Sequence, residues 1–262
     1  MTIYPLWEGS IPGKPTEIPS IVHYAPKRAR GRAAVVIYSG GGYSHRAPHE
    51  GHGYAEFLSE LGISAFVVNY RVAPAVFPDE LLDARRGVRF VRANAERFGI
   101  DPTKIAVMGS SAGGHLAALV STYRAPIEGE GVDEIDAFDP FPNAQILCYP
   151  VISSDPAIHH LGSYRQLLGD RLPEAAAFDP ELLADEATPP AFLWHTTTDA
   201  GVNVINSYRY AAALRRASVP CEVHTFPIGS HGLGLAPAHP HIAQWSRLLE
   251  SWLVLNGFLD AE

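Results

Sequence analysis

An α/β fold with a mainly parallel sheet is predicted by three observations. Continuous apolar runs of five to eight residues recur along the chain, at 33–39 (AAVVIYS), 63–70 (ISAFVVNY), 105–109, 144–149, 191–195 and 221–226. Segments with helical spacing alternate with them, at 50–61, 78–98, 113–122, 203–217 and 239–256. Strands alternating with helices at these intervals mean βαβ units, whose strands are covered on both faces and therefore read as unbroken apolar runs. The third observation is GSSAG at 109–113, lying between one such run and one such helix.

The elements follow in order. Residues 1–32 are rich in Pro and Gly and read as an N-terminal arm with one or two edge strands, 20–24 among them. The 33–39 run is the first buried strand. Helix 50–61 stops at Gly62, and 63–70 is the next strand. Residues 78–98 form a long amphipathic helix, with Leu81, Leu82, Val88, Phe90 and Val91 for its inner face and Gly99 as its stop. Two irregular stretches interrupt the rhythm. One is acidic and Pro-rich, 124–143. The other, 152–190, carries one short helix at 163–168. Both are expected where strands end, on the side where open α/β sheets bind ligands, and 152–190 is long enough for a lid insertion. With 262 residues and 47% apolar content the chain is expected to form a single domain, 1–262, with a substantial core.

Composition excludes several functions. Twenty basic and 28 acidic residues give a net charge of −8, which disfavours nucleic acid and anionic membrane surfaces as partners. The two cysteines, Cys148 and Cys221, lie in strand-like runs and read as buried thiols. The start, MTIYPLWEGS, has neither a basic region nor an apolar h-region. No apolar run reaches the ~18 residues that span a bilayer, and a cytoplasmic location is expected. His45 and His49 are four apart, but Pro48 breaks a shared helix face, and no HExxH or CxxC occurs. No metal and no cofactor is expected.

The chemistry starts at GSSAG. A serine at a strand-to-helix elbow sits on a turn so tight that small residues must flank it; Gly109, Ala112, Gly113 and Gly114 do so. Ser111 is the candidate nucleophile and Ser110 its bystander. Serine needs a base and a group to orient that base. Asp199 follows the 191–195 run, and His231 lies in IGSHGLGL after the run ending at Phe226. The competing acids Asp170, Asp179 and Asp185 fall within 152–190. Among the competing histidines, His224 alternates within a strand, and His239 and His241 flank Pro240. Asp199 alone would also suit a helix N-cap. For the oxyanion, Ser39-Gly40-Gly41-Gly42-Tyr43 follows the first buried strand, and the expected donors are the N–H groups of Gly41, Gly42 and Ala112. A phosphate cradle is the weaker reading, since neither GxxxxGK[ST] nor GxGxxG occurs.

Three motifs, SGGGY at 39–43, NYRVAP at 69–74 and GSSAGGH at 109–115, resemble the α/β-hydrolase superfamily, within its hormone-sensitive-lipase-like group. The fuller pattern, GGGYxH with HEG, LLG, NS after the acid and HGLGL, is similar to small bacterial esterases of the acetyl xylan esterase-like kind. The resemblance implies an α/β-hydrolase fold; the chain departs from the group in lacking its usual long N-terminal helical cap, so no large cap domain is expected. It implies Ser111, Asp199 and His231 as triad, Gly41, Gly42 and Ala112 as oxyanion donors, and an Arg71–Asp83 ion pair. The chain departs from the pattern at Ser39, where His or Pro is usual, and at Ala200, where a second aspartate is usual.

The expected function is that of a serine carboxylesterase acting on short acyl esters, a small-molecule substrate with acetylated carbohydrate among the expected forms. Trp7, Tyr43, His45 and Trp194 are expected to line the alcohol side. The rival readings are a formamidase using the same triad and a noncatalytic binding protein of the same fold.

Overall fold

The computed structural model describes residues 1–14 and 16–261; Pro15, inside the N-terminal arm, and Glu262 lie outside them. Among the described residues one sheet contains β1 (Thr2–Pro5), β2 (Ser20–Tyr24), β3 (Ala34–Tyr38), β4 (Ser64–Asn69), β5 (Ile105–Ser110), β6 (Ala144–Cys148), β7 (Ala191–Thr196) and β8 (Cys221–Phe226). The strand order is β1-β2-β4-β3-β5-β6-β7-β8. From β4 through β8 neighbours run parallel, whereas β1 and β2 of the arm add antiparallel to the β4 edge.

Alternation along each strand builds two cores, because successive side chains point to opposite faces. Ala34, Val36 and Tyr38 of β3 pack with α2 (Asp79–Ala93), α4 (Ser111–Thr122) and α7 (Ile205–Arg216). Val35 and Ile37 pack on the other face with α1 (Pro48–Leu61) and α8 (Trp245–Leu255). The strands β3, β5, β6 and β7 are buried along their whole length, as their unbroken apolar runs require. Cys148 is buried and Cys221 half-buried, both free, and burial pushes both thiols up to about 12.

Several expected boundaries moved for local reasons. The long helix expected over 78–98 is interrupted at Asn94, whose side-chain amide donates to the Phe90 carbonyl at 2.9 Å; α3 (Ala95–Phe98) follows. The C-terminal helix expected from His239 begins at Trp245, after a 3-10 turn (Ile242–Gln244) that follows Pro240. Within 152–190 there is more regular structure than one helix: α5 (Leu161–Leu168), a 3-10 stretch (Gly169–Phe178) and α6 (Pro180–Leu183). The 124–143 stretch packs along α2, from Gly129 against Leu82 near the start of that helix to the Asp139 and Phe141 carbonyls, which accept from Arg92 near its end. Its acids meet the same helix: Glu130 binds Arg85 and Arg89, and Asp133 and Asp136 bind Arg86.

The Arg71–Asp83 pair is present and fully buried. Asp83 Oδ2 accepts from Arg71 Nε at 2.8 Å and from the Arg71 amide at 2.9 Å. Its Oδ1 accepts from Arg71 Nη2 at 2.9 Å and from Trp7 Nε1 at 2.9 Å. Arg71 Nη1 donates to the Pro12 carbonyl at 2.7 Å. One carboxylate thus joins the arm, the β4 exit and α2. Asp83→Ala would leave a buried guanidinium short of its main partner. A loss of about 3–5 kcal/mol in urea unfolding is expected; a loss below about 1 kcal/mol would show that the pair contributes little.

Candidate active site

Parallel strands place their carboxyl ends on one side, and the candidate residues come from those ends. The register sets Tyr38 of β3 opposite Gly109 of β5, Gly109 opposite Leu147 of β6, and Leu147 opposite Leu193 of β7. Beyond these ends lie the glycine loop, Ser111, Tyr149, Asp199 and His231.

Ser111 opens α4 directly, two residues earlier than sequence spacing predicted. Its φ of 53° is left-handed, a conformation disfavoured for a residue with a Cβ. The turn is tight because the helix start rides on the strand ends: a Cβ at Gly113 would sit 2.1 Å from the Tyr38 carbonyl oxygen. As the first residues of a helix, Ser111 and Ala112 have amides without intrahelical acceptors.

Ser111, His231 and Asp199 form a continuous chain. Ser111 Oγ lies 2.8 Å from His231 Nε2, and His231 Nδ1 lies 2.7 Å from Asp199 Oδ2. A carboxylate only accepts, so Nδ1 carries the proton and Nε2 accepts from the serine hydroxyl. Asp199 Oδ1 accepts the amides of Gly201 and Val202 at 2.8 and 2.9 Å. Burial pushes the Asp199 carboxyl up, but hydrogen bonds from His195, His231 and the Val202 amide outweigh it and hold it well below the usual carboxylate range. The His231 side chain is 27% exposed and Ser111 is 6% exposed.

The glycine loop faces Ser111. Gly41 and Gly42 have φ of 127° and 63°, and no described residue takes up their N–H groups. Tyr43 anchors the loop from beneath. Its hydroxyl donates to His115 Nδ1 at 2.8 Å, since His115 Nε2 donates to the Phe178 carbonyl at 2.9 Å. Burial pushes His115 down to about 4, so the ring stays neutral. One buried imidazole thus links the loop, α4 and the 152–190 segment.

Three of the four expected alcohol-side residues are corrected. Trp194 is fully buried, stacked on Trp245 with centroids 5.0 Å apart. Its position in β7 points it into the core with α8. Trp7 packs under the Arg86 guanidinium and donates to Asp83, because the arm docks on α2. Tyr43 lies beneath the loop rather than facing solvent. His45 is exposed at the outer turn of the loop, its Nδ1 3.1 Å from Ser44 Oγ. The competitors lie elsewhere. Asp179 accepts from Tyr164 and Ser154, and His224 pairs with Glu222 on β8.

Sequence reasoning missed four residues here. His195, fully buried in β7, brings Nε2 to 3.3 Å from Asp199 Oδ2 and 3.0 Å from the Val202 carbonyl. Its signal was a histidine ending an apolar strand, four residues before the acid. His160 accepts the Ser163 amide at Nδ1 (3.2 Å) and sits beside Gly42; burial and the neighbouring His231 push it below its ordinary value. Glu50 and Tyr149 lie behind the loop that carries His231. Among the described residues no His, Cys, Asp or Glu cluster fits a metal ion, and no helix is long and apolar enough to cross a membrane.

Residues 22–214 match the BD-FAE family. The chain belongs to the BD-FAE family. The fold of this BD-FAE chain is the α/β-hydrolase fold: it superposes with a TM-score of 0.92, at 40% identity, on the crystal structure of an acetyl ester-xyloside bifunctional hydrolase from Caldicellulosiruptor lactoaceticus, covering 98% of this chain and 97% of that one. It is 33% identical to an acetylxylan esterase of Xylanibacter ruminicola over 89% of this chain. It is 34% identical to an endo-1,4-beta-xylanase B of Butyrivibrio fibrisolvens over 84% of this chain. The chain spans 47% and 35% of the lengths of these two curated relatives.

Asp199 has a native pKa depressed below its unfolded value of about 3.9. Its stabilising contribution is therefore complete above that value and is lost as pH falls through the native one. The stability difference between wild type and Asp199→Asn, from urea unfolding, is expected to be constant from neutral pH to about pH 5 and to shrink below about pH 4. A difference that grows on acidification would contradict this.

Proposed function

We propose that this protein is a serine carboxylesterase that removes acetyl and other short acyl groups, with acetylated xylose-based sugars as its substrate class. The observation that carries the reading is the unbroken Ser111–His231–Asp199 chain beside the free amides of Gly41 and Gly42.

His231 Nε2 takes the Ser111 proton as Oγ bonds to the ester carbonyl carbon. The carbonyl oxygen becomes an oxyanion, met by the N–H groups of Gly41, Gly42 and Ala112. Collapse breaks the carbon–oxygen bond to the alcohol, which leaves with the proton from His231. Water then gives one proton to His231 and its oxygen to the acyl carbon. The second collapse frees the acid and returns the proton to Ser111. Asp199 keeps Nδ1 protonated and stabilises the imidazolium; the Gly201 and Val202 amides and His195 hold Asp199 for that role. The 152–190 segment covers the site as a lid insertion, held to the body by Asn206, which accepts the amides of Ile152 and Ser153 at 2.9 Å each. His160 and His45 stand on the alcohol side. Support for the acetyl and xylose preference comes from the likeness to an acetyl ester-xyloside hydrolase and an acetylxylan esterase.

Ser111→Ala is expected to lower kcat for p-nitrophenyl acetate by roughly 10⁶-fold; most of the activity surviving would remove the reading. His231→Ala should be almost as damaging and His224→Ala should not. Across acyl chains of increasing length, rates are expected to peak at acetyl to butyryl and to include acetylated xylose oligomers; a maximum at octanoyl or longer would contradict the short-acyl preference.

A further inference from the structure

Behind the loop that carries His231 lies a buried carboxylate with no part in the steps above. Glu50, in the first turn of α1, is 3% exposed. An acid in a helix's first turn is favoured by the macrodipole, but that does not require burial. Glu50 Oε1 accepts the Tyr149 hydroxyl at 2.7 Å. The same hydroxyl accepts the Gly234 amide at 2.9 Å, three residues past His231, and lies 3.2 Å from Tyr54 OH. The Tyr149 ring meets the His231 imidazole edge-on, with centroids 5.1 Å apart. Tyr149 holds φ at 37°, a left-handed conformation that costs energy at a residue with a Cβ.

The other oxygen, Oε2, has no hydrogen-bond partner among the described residues. It lies against Gly40: a Cβ built there would meet Oε2 at 2.2 Å and Ser111 Cβ at 3.2 Å. Glu50 therefore stands close behind the nucleophile and beneath the loop that carries the base.

We infer that Glu50 is a positioning residue for His231: through Tyr149 it ties down the loop bearing the imidazole. The inference rests on His231 being the base. Around that ring stand Asp199 and His195 from the β7 end, His160 ahead of α5, Tyr149 from the β6 end, and Glu50 with His49 from α1. His49 Nε2 also reaches the same loop, at the Gly232 carbonyl, 2.9 Å away. Of the two acids in that set, Asp199 bonds the ring directly and Glu50 bonds Tyr149.

The test is kinetics on p-nitrophenyl acetate together with amide exchange at Gly234, followed by NMR in the full chain. In Glu50→Gln, loss of alignment should lower kcat by about tenfold to a hundredfold with KM little changed. Tyr149→Phe keeps the carboxylate but cuts the tie, so faster amide exchange at Gly234 and a lower kcat are expected. Unchanged kcat and unchanged Gly234 exchange in folded Glu50→Gln overturn the inference. If that variant does not fold, wild-type exchange and kcat in Tyr149→Phe overturn it. If wild type cleaves no ester, the proposed function falls, while amide exchange at Gly234 still decides the role of Glu50.

Discussion

Ser111 is held in a left-handed backbone conformation where β5 turns into α4, and the close approach of Gly113 to the Tyr38 carbonyl keeps it there. No side chain fits between that first helical turn and the end of β3. The consequence reaches past the serine. Because α4 rests on the β3 terminus, the glycine loop that leaves β3 must pass in front of Ser111. That brings Gly40, the first glycine of the loop, against Ser111: a Cβ on Gly40 would come within 3.2 Å of the Ser111 Cβ. A preorganised arrangement of this kind is already aligned before any substrate arrives, and so spends little on reorganisation when charge develops.

Around this constraint the polar groups are arranged so that each proton has one place to be. The Gly201 and Val202 amides occupy one oxygen of Asp199, and His231 with His195 occupies the other. That leaves Nδ1 of His231 protonated and Nε2 free to accept from Ser111. His115, fixed between the Phe178 carbonyl and the Tyr43 hydroxyl, stays neutral and ties loop, helix and the 152–190 segment together.

Much of this was legible in the sequence, for identifiable reasons. The strands β3, β5, β6 and β7 are unbroken apolar runs because helices cover both their faces. The residues at their ends are separated by glycine-rich turns that mark the site. Ser111, Asp199 and His231 stood out because each lies within a few residues of the end of such a run. What escaped depends on three-dimensional return of the chain. Nothing in 124–143 itself says that it packs along α2, where its acids meet the arginines of that helix. Trp194 read as a ligand-facing aromatic because its strand ends at the site, yet the alternation of β7 turns it toward Trp245. Trp7 belongs to the arm, and only docking on α2 brings it to Asp83. Glu50 and Tyr149 carry no local signal, since each gains meaning only from the other.

The claim on which the rest turns is that the Ser111 hydroxyl is activated by His231. Reaction with a fluorophosphonate, followed by peptide mass mapping, reports it most directly. The account predicts one adduct, on Ser111, formed rapidly in wild type and lost in His231→Ala. An adduct on Ser110, or labelling of Ser111 at an unchanged rate without His231, would contradict it.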